Sequence, residues 1–159
     1  MRILGVDPGF GRLGIGIIDV EQGKETCLYS ECFETNPKET FHTRLILVGE
    51  KVNALCMEWR PDVASVETLF FEKNQKTAMS VAEARGVIVY ELLKNNVSVF
   101  EYSPLQVKMA LTGFGKAEKP QVAFMVEKIL SLETKKGVDD ELDALALAIT
   151  HSSSSRRTT

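Results

Sequence analysis

The feature that most restricts the fold is a change of hydrophobic period near residue 41. Before it, residues 2–7, 13–20 and 25–34 are short apolar runs separated by Asp7-Pro8-Gly9 and Gln22-Gly23-Lys24. Runs punctuated in this way read as three strands of an antiparallel meander. After it, Phe41, Leu45, Val48, Val52, Leu55 and Trp59 recur at steps of four and three, one face of a long helix closed by Arg60-Pro61-Asp62. Residues 63–67 then read as a short buried strand. Residues 76–94 read as a helix with Ala78, Val81, Ala82, Val89 and Leu92 on one face, and 97–100 as a fifth strand. Helices are expected over about 103–112, 118–131 and 139–150, followed by a polar tail, Ser152 to Thr159, expected to be disordered. Three meander strands followed by βαβαβ linkage give one mixed five-stranded sheet of the α/β class, flanked by helices, over residues 1–151.

Composition removes several classes. A chain of 159 residues, 44% hydrophobic and 26% charged, suits one globular domain and excludes collagen, coiled coil and wholesale disorder. It holds no apolar run long enough to span a bilayer, and Met1-Arg2-Ile3-Leu4-Gly5-Val6-Asp7 is too short and too early charged for a secretory core. A soluble, unexported, cytoplasmic protein is expected. Cys27, Cys32 and Cys56 form no C-x-x-C, and the histidines are His42 and His151 alone, so zinc spacing is absent. The three thiols read as ordinary reduced cysteines, and the Asn96-Val97-Ser98 sequon carries no meaning in that compartment.

Gly9-Phe10-Gly11-Arg12-Leu13-Gly14 fits G-x-G-x-x-G after a predicted strand. The dinucleotide reading needs a helix to open there, because its N-terminal amides hold the pyrophosphate. A β-branched strand follows instead, and no acid closes a βαβ unit downstream. These glycines serve a hairpin turn and a close backbone approach.

The carboxylates are more informative. Asp7 and Glu67 each end a predicted apolar strand, so both emerge at one sheet edge if those strands are neighbours. Asp140 and Asp143 share one helix face, and Asp143 sits within Asp-Ala-Leu-Ala-Leu-Ala-Ile. The macrodipole accounts for acids opening that helix, Asp139 and Glu141 among them, but not for Asp143. Crowded, desolvated carboxylates are costly unless a cation relieves them, and Mg²⁺ favours oxygen ligands of this kind. Each acid has an ordinary reading as a turn, cap or salt-bridge residue; together they are more specific.

Net charge is −3, which argues against a nucleic-acid partner until its distribution is considered. Residues 73–128 hold eight Lys/Arg against five acids, while the remainder holds eleven against seventeen. The central segment is mildly basic.

These residues resemble the RuvC family of Holliday-junction resolvases over about residues 1–151. The resemblance rests on Val6-Asp7-Pro8-Gly9 with Gly14, Glu67 in Val-Glu-Thr-Leu-Phe-Phe, and Ala84-Arg85-Gly86. It continues through Gln106-Val107-Lys108, Ala117-Glu118-Lys119 and Asp140-x-x-Asp143-Ala-Leu-Ala. It implies an RNase H-like fold, a homodimer, and paired nicking of four-way DNA junctions during recombination and repair, leaving 5′-phosphate ends. It also implies Mg²⁺ as cofactor, two ions per site with Mn²⁺ able to substitute, and the RuvA–RuvB branch-migration complex as a partner. Carried over, Asp7, Glu67, Asp140 and Asp143 are the metal-binding catalytic acids, with Asp139 an alternative for the place of Asp140. Lys108, Lys119 and Phe70 are DNA contacts, joined on charge by Lys73, Lys76 and Arg85, and the helix around Ala84-Arg85-Gly86 corresponds to the family's dimer helix. Two other readings compete: an RNase H-like relative acting on RNA, and an actin/Hsp70-like ATP-binding module, which needs a second domain that 159 residues cannot supply.

Overall fold

The computed structural model describes residues 1–69, 75–132 and 139–156, with the side chains of 75 and 76 not included. Its elements run β1 (Arg2–Asp7), β2 (Arg12–Glu21), β3 (Lys24–Glu34), α1 (Phe41–Trp59), β4 (Val63–Glu67), α2 (Gln75–Lys94), β5 (Ser98–Tyr102), α3 (Pro104–Thr112), α4 (Lys119–Leu130) and α5 (Asp139–Ser155). The sheet order is β3-β2-β1-β4-β5. β1–β2 and β2–β3 pair antiparallel, and β1–β4 and β4–β5 pair parallel, so the expected mixed five-stranded sheet is present.

Strand alternation sorts the chemistry onto the two faces. Leu4, Val6, Leu13, Ile15, Ile17, Ala64 and Val66 project into a core that also takes Val48, Val52 and Leu55 of α1 and Ile88 and Leu92 of α2. Their sequence neighbours Gly5, Asp7, Gly14, Gly16, Ser65 and Glu67 therefore face the other way, towards α5. That second face is short of side-chain bulk, and α5 fills it at close range. A Cβ placed on Gly5 would stand 1.9 Å from the carbonyl oxygen of Ala144, and one on Gly14 would stand 2.2 Å from that of Asp140. The Ser65 hydroxyl donates to the Leu147 carbonyl at 2.7 Å, fixing the helix along the sheet. Ala144 through Ser152 are consecutively buried, because α3 and α4 cover the outer side of α5.

Local signals explain the helix ends that matter. Thr40 caps α1 through its side chain, and Arg60 closes it in the left-handed conformation at φ 47°. Ser103 and Gln106 form a capping box at α3, followed by Pro104, which fixes where Lys108 falls.

Two expectations are corrected. The buried stripe of α2 is Ala84, Ile88 and Leu92; Ala78, Val81, Ala82 and Val89 are only half-buried. The tail does not begin at Ser152, because α5 continues to Ser155. Ser152 is buried and donates to Glu25 at 2.8 Å, and Arg156 pairs with the same carboxylate. Hydroxyls of Ser154 and Ser155 donate to the carbonyls of Thr150 and Ser152 in the preceding turn. No described helix is long and apolar enough to cross a membrane.

Candidate active site

Asp7 ends β1, where it pairs in register with Gly14 of β2. On its other side β1 runs parallel to β4, with Val6 opposite Val66, so Asp7 and Glu67 leave the sheet side by side. Both point to the α5 face by alternation, and α5 enters there with its first turn. Its position over Gly14 brings Asp140 and Asp143 against Asp7. One carboxylate oxygen from each of Asp7, Asp140 and Asp143 lies within 4.8 Å of the other two.

Glu67 stands outside that tight trio but faces the Asp7 carboxyl and lines the same cavity. Asp139, the alternative on the same helix, is exposed and not part of the cluster. The cavity is about 340 Å³ in volume; the four acids line it together with Lys108 and Lys119, and Pro104, Val107, Val122 and Leu147 complete its lining.

The electrostatics are those of a crowded anionic site. Burial, reinforced by Glu67, Asp143 and Asp140, pushes the Asp7 carboxyl from its ordinary 3.8 up to about 8. Burial also raises Glu67, with Asp143 adding to the effect. Lys119 donates to Asp143 at 2.8 Å, and this bond raises its own pKa. Asp140 is held from the opposite side, with Arg12 Nη2 at 2.8 Å and Cys32 Sγ at 3.3 Å, both on Oδ2. An all-oxygen donor set of clustered carboxylates suits a hard divalent cation, and the residues present fit one.

The loop after Asp7 is pinned independently of the acids. The Thr35 hydroxyl donates to the Phe10 carbonyl at 2.6 Å and accepts from Arg44 Nε at 2.7 Å. The Arg44 guanidinium also lies over the Phe10 ring, 4.8 Å from its centroid.

The remaining sequence candidates separate. Lys108 lines the cavity, with no ion-pair partner among the described residues. Arg85 is turned away from it: it pairs with Glu101 at 2.7 Å, and its Nε approaches the Glu67 carbonyl at 3.4 Å. That placement ties Arg85 to the strand end carrying Glu67. Phe70 and Lys73 lie outside the described residues, as does the side chain of Lys76. Arg12 and Cys32 were not singled out from the sequence as site residues. No local motif marks either one, and the register of β2 with β3 together with the seat of α5 over Gly14 puts them beside Asp140.

A family model for the crossover junction endodeoxyribonuclease RuvC matches residues 3–151. The chain belongs to the RuvC family. RuvC of Ruminiclostridium cellulolyticum is 43% identical over 156 residues, covering 98% of this chain and 94% of that protein. RuvC of Caldicellulosiruptor saccharolyticus is 42% identical, covering 95% and 92%. Among solved structures, Thermus thermophilus RuvC in complex with Holliday junction substrate superimposes with a TM-score of 0.94 at 35% identity, over 100% of this chain and 97% of that one. The yeast mitochondrial Holliday junction resolvase Ydc2 shares the fold, with a TM-score of 0.70 at 14% identity. The fold and the crossover-junction endonuclease activity inferred from the sequence are thereby supported, and neither competing reading is favoured.

Proposed function

We propose that this RuvC-family chain resolves four-way DNA junctions by paired nicks made in the carboxylate cavity, as a homodimer using Mg²⁺. The observation that carries this reading is the convergence of Asp7, Asp140 and Asp143, with Glu67 beside them, in a cavity also lined by Lys108 and Lys119. Asp7, Glu67, Asp140 and Asp143 would hold two such ions. When bound, they supply the Lewis acidity that activates water and stabilises the leaving 3′-oxygen in phosphodiester hydrolysis.

Each protein group has a separate task. Asp7, buried and crowded, must give up its proton for the site to carry full negative charge, which couples loading to pH. Lys108 and Lys119 would neutralise phosphates flanking the scissile bond. Phe70, three residues beyond Glu67 in sequence, would stack on a base unpaired near the crossover, and Lys73 and Lys76 would add phosphate contacts. The products would carry 5′-phosphate and 3′-hydroxyl ends.

Paired nicks need two sites. Between α1 and α2 lies an apolar groove of about 410 Å³, bordered by the exposed Ile46 and Tyr90, which are 61% and 62% accessible. This groove would seat a second copy of the chain. RuvA–RuvB would supply junctions by branch migration.

A nicking assay on a four-way junction and a linear duplex of the same sequence tests the reading. The junction should be cut in two symmetric strands and the duplex left intact. Equal cutting of both would overturn it.

A further inference from the structure

Arg12 and Cys32 occupy a defined place relative to Asp140. Across β1, β2 and β3, Asp7, Gly14 and Cys32 form one cross-strand row, and Arg12 stands opposite Glu34 two residues along β2. Side chains at 12 and 14 share a face. The Asp140 backbone lands on the bare Cα of Gly14, so its side chain arrives between Arg12 and Cys32. Arg12 Nη2 and Cys32 Sγ both meet Oδ2, at 2.8 Å and 3.3 Å, and Arg12 Nε reaches Cys32 Sγ at 3.5 Å. Glu34 holds the guanidinium from outside at 3.4 Å. No hydrogen bond reaches Oδ1 among the described residues.

We infer that Arg12 is a positioning residue for cation binding: it anchors Oδ2 of Asp140 and thereby presents Oδ1 to the cation. This rests on the reading of Asp140 as a cation ligand.

Two effects of Arg12 have opposite sign. Its positive charge opposes a cation nearby, and its hydrogen bond holds the ligand in place. The Arg12 side chain is 53% exposed, so water screens the charge, whereas the bond to Oδ2 is local and short. Partners that orient a ligating carboxylate typically contribute about 10–100-fold to metal affinity. Positioning should therefore prevail. Cys32 alone does not supply the anchor, because a thiol is a weak donor.

The test is Mn²⁺ binding to the full chain at fixed pH, followed by the electron paramagnetic resonance signal of free Mn²⁺, with melting temperatures recorded alongside. Asp140→Asn is the reference for the ligand itself and should weaken binding strongly. Arg12→Ala should weaken binding about 10-fold with little change in melting temperature, since the side chain is half exposed. Arg12→Lys, which keeps the charge but not the planar fork, should fall between wild type and Arg12→Ala. Tighter or unchanged Mn²⁺ binding in Arg12→Ala would overturn the inference. A loss that only follows a fall in melting temperature would do the same. Unchanged binding in Asp140→Asn would instead remove the ligand assignment beneath it.

Discussion

Lys119 Nζ lies 2.8 Å from Asp143 Oδ2, so one of the two lysines lining the cavity is already engaged with an acid of the site. Lys108 carries no such partner among the described residues, which separates two lysines that look equivalent in sequence. In metal-free protein, Lys108→Ala should flatten the salt dependence of junction binding by about one unit. Lys119→Ala should flatten it less, because part of its charge is spent on Asp143. Binding isotherms at several salt concentrations in a chelator decide this. Equal slopes for both variants would contradict it.

Asp7 gives a pH-dependent prediction whose sign is fixed. Its carboxyl holds a proton up to about 8 in the folded chain, whereas the unfolded chain releases it near 3.8. Between those values the unfolded state binds fewer protons, so this group's contribution to metal-free stability is full below pH 4 and declines as pH rises towards 8. Asp7→Asn lacks the titrating group. Its melting temperature should exceed that of wild type at pH 8, and the difference should shrink by pH 5. A kcal/mol corresponds to roughly 2–4 °C in a chain of this size. Added Mg²⁺ at pH 8 should raise the wild-type value and leave the variant almost unmoved. A difference between the two proteins that does not vary with pH would dismiss the argument. The same variant should lose cleavage yet keep junction binding.

Gly14→Ala tests how tightly the site depends on the seat of α5. The added methyl would stand 2.2 Å from the Asp140 carbonyl oxygen and 3.1 Å from Asp7 Cβ, so helix or strand must move apart. Overpacking of this kind costs about 1–3 kcal/mol. A displacement of about 1 Å at reacting groups costs on the order of 10²-fold in rate. Cleavage should fall far more than stability, measured on the same sample by single-turnover nicking and thermal melting. A variant that cuts at the wild-type rate would show that α5 is not held at its limit.

Phe70→Ala should leave folding and Mn²⁺ binding unchanged while slowing junction cleavage. A base stacked on an aromatic contributes about 1–3 kcal/mol by alanine substitution. A fluorescent base analogue at the crossover should lose its protein-induced signal with the variant. Normal cleavage, or an unfolded variant, would overturn this role for Phe70.

The strand-end acids were legible because a carboxylate closing an apolar run is conspicuous in one dimension. Which face they take was not, since it follows from Leu4 and Val6 filling one core while Gly5 leaves room on the other. Asp140 could not be separated from Asp139 by sequence, because acids in a first helical turn all gain from the macrodipole. Docking over Gly14 brings Asp140, and not Asp139, into the carboxylate cluster. The buried stripe of α2 is hard to place by sequence because Ala78, Ala82 and Ala84 offer equally small residues at different helical angles, and which of them is covered depends on tertiary packing. The serines after His151 read as tail because their helical hydrogen bonds run to carbonyls one turn back and to Glu25, more than a hundred residues away.

The distance along the chain between Asp7 and Asp143 has a consequence for partly folded forms. Two of the four acids belong to the sheet and two to a helix that joins it only through tertiary contact. Any opening that lifts α5 takes Asp140 and Asp143 away from Asp7 and Glu67 at once, with the strands still paired. The carboxylate cluster therefore exists only in molecules whose whole topology is closed, sheet and final helix together.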